Sequence, residues 1–262
     1  MTDIQYGKRP LYNPAGQIYL IGDIHNEAVK LMDVLGQIAP LIKPEDHIVF
    51  LGDLFDRGPH AALTVEVLVN FVHTYPDQVF FVKGNHDDML QSYLMRGGHD
   101  WFQYLLSTLD NFKEKWELPD IEPNTIAQAL LNKDFTAVTS RTIPYYETEE
   151  IIATHAPFDF MTCMMHGLAH YEVDYAERHD NINFKHFLER MAFDILWTFT
   201  DEKSDIPAFK KFRVCGHQPG PGKAKHPRIF KNYAFIDTGC GKGNRPLTCM
   251  VYPSKKCFQS ET

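Results

Sequence analysis

The chain has 262 residues, 44% of them hydrophobic and 23% charged, the ordinary range for one large or two small globular domains with a sizeable core. Its 26 Lys and Arg against 34 Asp and Glu give a net charge of −8, which argues against a nucleic-acid partner bound by phosphate neutralisation, though a local metal charge can still draw a small anion. No run of about 18 apolar residues occurs and residues 1–10 lack the apolar core of a secretory signal, so no membrane partner and a cytoplasmic location are expected.

In chain order, apolar runs rich in β-branched and aromatic residues occupy 17–22, 47–52 and 78–83, each closed by turn residues, and read as buried strands. Between them, 27–38 and 61–75 carry apolar residues at helical spacing. Strand–helix alternation of this kind predicts an α/β layered core. Residues 88–146 read as mostly helical, with a Pro-punctuated link at 118–123. Further strands are expected at 150–154, 212–216 and 233–237, with 247–252 as the last. Residues 156–211 are rich in Met, His and aromatics and end in a helix expected near 183–197. The stretches at about 88–146 and 156–211 read as insertions flanking a site within a single domain over 1–262.

Each strand except the last ends in a polar cluster: Gly22-Asp23-Ile24-His25-Asn26, Gly52-Asp53-Leu54-Phe55-Asp56-Arg57-Gly58, Gly84-Asn85-His86-Asp87, Thr154-His155-Ala156-Pro157, Gly216-His217-Gln218-Pro219 and Asp237-Thr238-Gly239. Ligand sites of open α/β sheets lie beyond the carboxyl ends of the strands, so these groups are expected to converge on one crevice. Asp, Asn and His provide mixed oxygen and nitrogen ligation for a hard-to-borderline metal pair, and a carboxylate can bridge two cations. One Gly-Asp is an ordinary turn; a series of such clusters in order is a site. The five cysteines (Cys163, Cys215, Cys240, Cys249, Cys257) have no C-x-x-C spacing and read as reduced thiols. Most of the 13 histidines, including His47, His73 and His179, read as surface or core residues.

The motif order GDIHN, GDLFDRG, GNHD, THAP and GHQP resembles the phosphoprotein phosphatase branch of the calcineurin-like metallophosphoesterases, with the small bacterial and phage type as the closest flavour. The resemblance implies a layered β-sandwich core flanked by helices, with the mostly helical insertions near the site. It implies two divalent metal ions, manganese first, with iron or zinc also fitting. Asp23, His25 and Asp53 would hold one ion, Asp53 would bridge, and Asn85, His155 and His217 would complete the other. His86 would be the general acid, oriented by Asp56, while Arg57 and Asn85 would grip the phosphate. The implied reaction is direct attack of a metal-held hydroxide on a phosphoserine or phosphothreonine monoester of a protein, or on a small phosphate ester, with phosphotyrosine as a further substrate.

The chain departs from the family pattern at Asn26, where glycine is usual, and at Asp87, where Glu is commoner. Leu196-Trp197 is not followed by the second phosphate-binding Arg, leaving Arg178, Arg190 or Arg245 as replacements. Met161, Met164 and Met165 with Phe158 and Phe160 could line a substrate groove or pack under a loop. The loop at 239–245 reads as a tight turn, with the alternative that its Lys242 and Arg245 face a phosphate. Two other functions compete: a nucleotide hydrolase of the symmetrical diadenosine tetraphosphatase kind, and a metal-binding scaffold without turnover.

Overall fold

A computed structural model describes residues 12–97, 102–157, 196–197, 211–219 and 225–261. Strand β1 (Ile18–Ile21) leads to α1 (Ala28–Ile38), β2 (His47–Phe50), α2 (Ala61–Thr74) and β3 (Val79–Val82). Four helices follow: α3 (Asn85–Arg96), α4 (Phe102–Lys115), α5 (Pro123–Asn132) and α6 (Thr136–Thr139). The chain then forms β4 (Thr142–Ile143), β5 (Tyr146–Glu147), β6 (Ile151–Thr154), β7 (Phe212–Cys215), β8 (Arg228–Ile229), β9 (Tyr233–Phe235), β10 (Thr248–Tyr252) and β11 (Lys256–Gln259).

The strands make two sheets, one ordered β11-β10-β1-β2-β3-β4 and the other β5-β6-β7-β9-β8. Strand alternation explains how they layer. Ile18 and Leu20 of β1, with Val49, Val82 and Met250, pack against Tyr146, Ile151, Ala153, Val214 and Ala234 of the second sheet. Tyr19 and Ile21, with Ile48, Phe50 and Phe81, point the other way and pack under α1, α2 and α4 through Leu31, Val65, Leu68 and Leu109. The result is the mixed α/β layered sandwich with flanking helices that the sequence implies.

All seven expected strands and both early helices form, with ends shifted by a residue or two. Two expectations need correction. The helical stretch ends before residue 146, because β4 extends the first sheet beside β3 and β5 pairs with β6 in the second. Strand β10 is not the last, since β11 pairs antiparallel with it as an edge strand. The helix expected near 183–197 lies outside the described residues except for its last two positions, which are helical. Among the described residues no helix is long and apolar enough to cross a membrane, and the described cysteines are free thiols.

Candidate active site

Strands β1, β2 and β3 run parallel in one sheet, and β6, β7 and β9 run parallel in the other. Their carboxyl ends deliver Asp23 and His25, then Asp53, Asp56 and Arg57, then Asn85 and His86, and from the second sheet His155, His217 and Asp237. The loops are tightly wound. His25, Asn26, Asp53, Asp56, Arg57 and His217 all have positive φ, from 49° to 78°. Asp, Asn and His tolerate this region better than most residues, and such backbone concentrates where side chains must be aimed. At Gly84 the chain passes so close to Asp53 that a side-chain carbon would land on the Asp53 backbone nitrogen and Oδ1.

Asp53 stands at the centre. Its Oδ2 is 3.4 Å from His25 Nε2 and its Oδ1 is 3.3 Å from His155 Nε2. Oδ1 also accepts the His86 backbone N–H at 2.9 Å. Two sets of three donors able to hold a cation share this carboxylate, His25–Asp53–His86 and Asp53–His155–His217, each with its atoms within 4.8 Å of one another. Asn85 Oδ1 lies 2.9 Å from His155 Nε2 and 3.1 Å from His217 Nδ1. Asp23 sits at the edge, accepting the His217 backbone N–H at 3.0 and 3.1 Å and lying 3.9 Å from His25 Nε2.

The donor chemistry fits metal ions. His25 Nδ1 is 3.0 Å from the Phe55 carbonyl and His155 Nδ1 is 2.7 Å from the Leu51 carbonyl. A carbonyl only accepts, so each Nδ1 carries the proton and each Nε2 turns a lone pair into the cluster, the usual outer support of a metal-bound histidine. Burial lowers the pKa of both rings, and it lowers His217 to about 3 with His155 adding to the effect. Burial, then Asp237 and Asp53, raises Asp23 well above the usual carboxylate range. Burial alone would raise Asp53 too, but the His155, His86 and His25 rings hold it low. Asn85 Oδ1 faces acceptors, and the opposite amide orientation would donate to His155, His217 and Asp53. Neutral imidazoles, crowded carboxylates and an amide oxygen are the set that a dication stabilises.

His86 Nδ1 donates to Asp56 Oδ2 at 2.7 Å, which turns His86 Nε2 toward the cluster, 3.9 Å from Asp53 Oδ2. Arg57 is exposed, and its guanidinium contacts His25 Nε2 and lies 3.0 Å from His86 Nε2. Two carboxylates outside the expected ligand set also belong to the site. Asp87 accepts the Leu54 N–H at 2.9 Å and the Gly84 N–H at 3.0 Å, which fastens the Asp53 loop to the start of α3; burial, then Asp53, raises it to about 7. Asp237 accepts the Gly239 N–H at 2.7 Å, and burial raises it to about 6. The sequence signal for both was present, as the fourth residue of GNHD and the carboxylate of IDTG.

Residues 16–233 match the calcineurin-like phosphoesterase model. The chain belongs to the calcineurin-like phosphoesterase family. It is a metallophosphoesterase, and that family uses a dinuclear metal site. Over 257 residues it is 29% identical to an asymmetrical bis(5′-nucleosyl)-tetraphosphatase PrpE of Geobacillus sp. (strain WCH70), covering 90% of this chain and 91% of that one. A Candida albicans serine/threonine-protein phosphatase PP2A-like PPG1 is 36% identical over 70 residues, covering 27% of this chain and 16% of that protein. A solved structure described as a putative diadenosine tetraphosphatase superposes with a TM-score of 0.55 at 16% identity, over 95% of each chain. This calcineurin-like phosphoesterase therefore has protein phosphatases and nucleotide phosphatases among its relatives.

The structure brings Asp23, His25, Asp53, Asp56, Arg57, Asn85, His86, His155 and His217 to one place. The Arg245 side chain lies over Gly239. Arg178, Arg190, Met161, Met164, Met165, Phe158 and Phe160 lie outside the described residues. His47 is spent on the Tyr146 hydroxyl at 2.7 Å and His73 on Asp134 at 2.8 Å, both away from the site.

Proposed function

We propose that the chain hydrolyses phosphoric monoesters, with phosphoserine and phosphothreonine as the principal substrates and phosphotyrosine or small phosphate esters as others. The observation that carries this is the 2.7 Å Asp56–His86 pair beside the candidate metal ligands. An alkoxide is a poor leaving group and needs a proton delivered as the P–O bond breaks, a service worth roughly 10²–10⁴ in rate. Asp56 holds the His86 ring by Nδ1, so Nε2 is the atom that gives the proton. Asp23, His25 and Asp53 would hold one ion and Asn85, His155 and His217 the other, with Asp53 shared. Two divalent ions there, manganese first, supply charge neutralisation for the phosphoryl group and lower the pKa of the attacking water. Arg57 and Asn85 orient the phosphate oxygens.

A second reading has its own support. The whole-length Geobacillus relative named above is, by its name, an asymmetrical bis(5′-nucleosyl)-tetraphosphatase. The two substrates share the attack and differ in the leaving group, since a nucleotide leaves more readily than an alkoxide. The test is a release panel with added manganese: a phosphoserine peptide, p-nitrophenyl phosphate and a bis(5′-nucleosyl) tetraphosphate. Phosphate from the peptide supports the first reading, and nucleotide products alone support the second. No turnover of any of the three sinks both and leaves a metal-binding scaffold.

A further inference from the structure

We propose that the loop at residues 239–245 forms a second anion subsite beside the metal-ligand cluster, with Lys242 binding the phosphoryl group adjacent to the one that is cleaved. The inference rests on the phosphoester-hydrolase reading above and deepens its nucleotide branch, naming diphosphate and longer phosphoanhydride esters as the ligand class.

The placement starts from the backbone. Gly239, Gly241 and Gly243 have φ of +82°, +81° and +70°, a conformation that L side chains rarely adopt, so the loop coils tightly. Within it the Lys242 N–H donates to the Gly239 carbonyl at 2.9 Å and the Arg245 N–H to the Gly243 carbonyl at 2.9 Å. At Gly241 the coil presses on the site: a side-chain carbon there would lie 2.6 Å from Cβ of His25 and 3.4 Å from Cβ of Arg57. The residue that follows is Lys242, which is exposed. Its backbone therefore sits beside His25 and Arg57, at the rim of the cluster.

Charge supports the same position. Loss of solvent lowers the Lys242 ammonium, Arg57 lowers it further, and Asp237 and Asp23 pull it back up. It is thus close enough to sense both the guanidinium and the buried carboxylates. Like charges are not set side by side on a loop without cost, and an anion spanning them relieves the repulsion. The loop is also held in place. Lys30 on α1 reaches the Gly243 carbonyl at 3.3 Å and pairs with Glu27 at 3.4 Å, and Arg245 lies over Gly239. A monoester has one phosphoryl group for the metal ions and Arg57. A cation one step further along the rim serves a second phosphoryl group.

The experiment is calorimetric titration of the metal-loaded protein, with divalent metal in excess over total phosphate. Orthophosphate and the non-hydrolysable adenosine 5′-(α,β-methylene)diphosphate are the two probes, each run on the wild-type protein, Lys242→Ala and Lys242→Arg. Loss of one charge-assisted contact should weaken the diphosphate roughly tenfold in Lys242→Ala. Orthophosphate should shift less than about twofold, and Lys242→Arg should restore most of the diphosphate affinity. Equal weakening of both probes, no weakening of either, or a wild-type protein that prefers orthophosphate overturns the subsite. These titrations need no turnover. A wild-type protein that binds diphosphate through Lys242 but releases no product from the substrate panel would refute the hydrolase reading and leave the subsite standing.

Discussion

His86 is held at both ends of its role: its backbone N–H is bonded to Asp53 and its ring to Asp56. Replacing it with Asn removes the proton donor but leaves every proposed ligand in place. His86→Asn should keep bound metal and slow hydrolysis of an alkyl phosphate at least about a hundredfold. It should slow p-nitrophenyl phosphate much less, because that leaving group needs little protonation. Metal analysis and turnover on the two substrates check this; equal loss on both would remove His86 from the acid role. Asp87 acts differently, through the Leu54 and Gly84 backbone it fastens. Asp87→Ala should loosen the Asp53 loop and weaken metal binding roughly 10–100-fold, as outer-shell changes do. Asp87→Glu, the commoner residue of the family, should keep most of the affinity, and metal titration separates the two outcomes. The identity of these residues was legible because Gly-Asp and Gly-Asn-His punctuate the strand ends. The position of the Arg57 guanidinium was not, because a flexible side chain settles by charges that converge only in the fold.

Helix α4 belongs to the stretch that broke the strand–helix rhythm, and the structure gives it a task. Thr108 on α4 is fully buried and accepts a hydrogen bond from Asn26 Nδ2 at 2.9 Å. Asn111, a turn further on, accepts the Ala62 N–H at 3.0 Å and donates to the Pro59 carbonyl at 2.8 Å. One helix thereby braces both the His25 loop and the segment after Arg57. Asn26, the departure from the usual glycine, is the residue that makes the first brace. Thr108→Val keeps the shape but strands a buried amide, which should cost about 1–3 kcal/mol in urea unfolding. An unchanged unfolding midpoint would mean that the contact is dispensable. The element pattern itself was readable wherever apolar runs reach four residues. Strands β4, β5 and β8 are two residues long and carry no period to detect. Strand β11 reads Lys-Cys-Phe-Gln, an edge strand with a charge at its start, and pairing with β10 decides its state more than propensity does.

At the scale of the molecule, the proposed ligands come from both sheets. Asp23, His25, Asp53 and Asn85 follow strands of the first, while His155 and His217 follow strands of the second. Which strands share a sheet was not legible, since pairing joins β1 to β10 across more than two hundred residues and no local pattern encodes it. The apolar layer of Leu20, Val49, Tyr146, Val214 and Met250 joins the sheets along their length. At the carboxyl ends that layer gives way to buried Asp23, Asp53 and Asp237, whose mutual repulsion works against closure. Metal ions bound between them should turn that repulsion into a tie. A single ion at a hundredfold excess over its Kd adds about 2.7 kcal/mol, which for a chain of this size is on the order of 5–10 °C in Tm. Thermal unfolding with excess manganese and then with a chelator should show a drop of at least that order. Asp53→Asn removes the shared carboxylate, so it should lose metal and activity, and its Tm should respond much less to manganese. A Tm in the wild-type protein that ignores manganese would mean that the two sheets are not joined through this cluster, and the dinuclear assignment of these residues would fall with it.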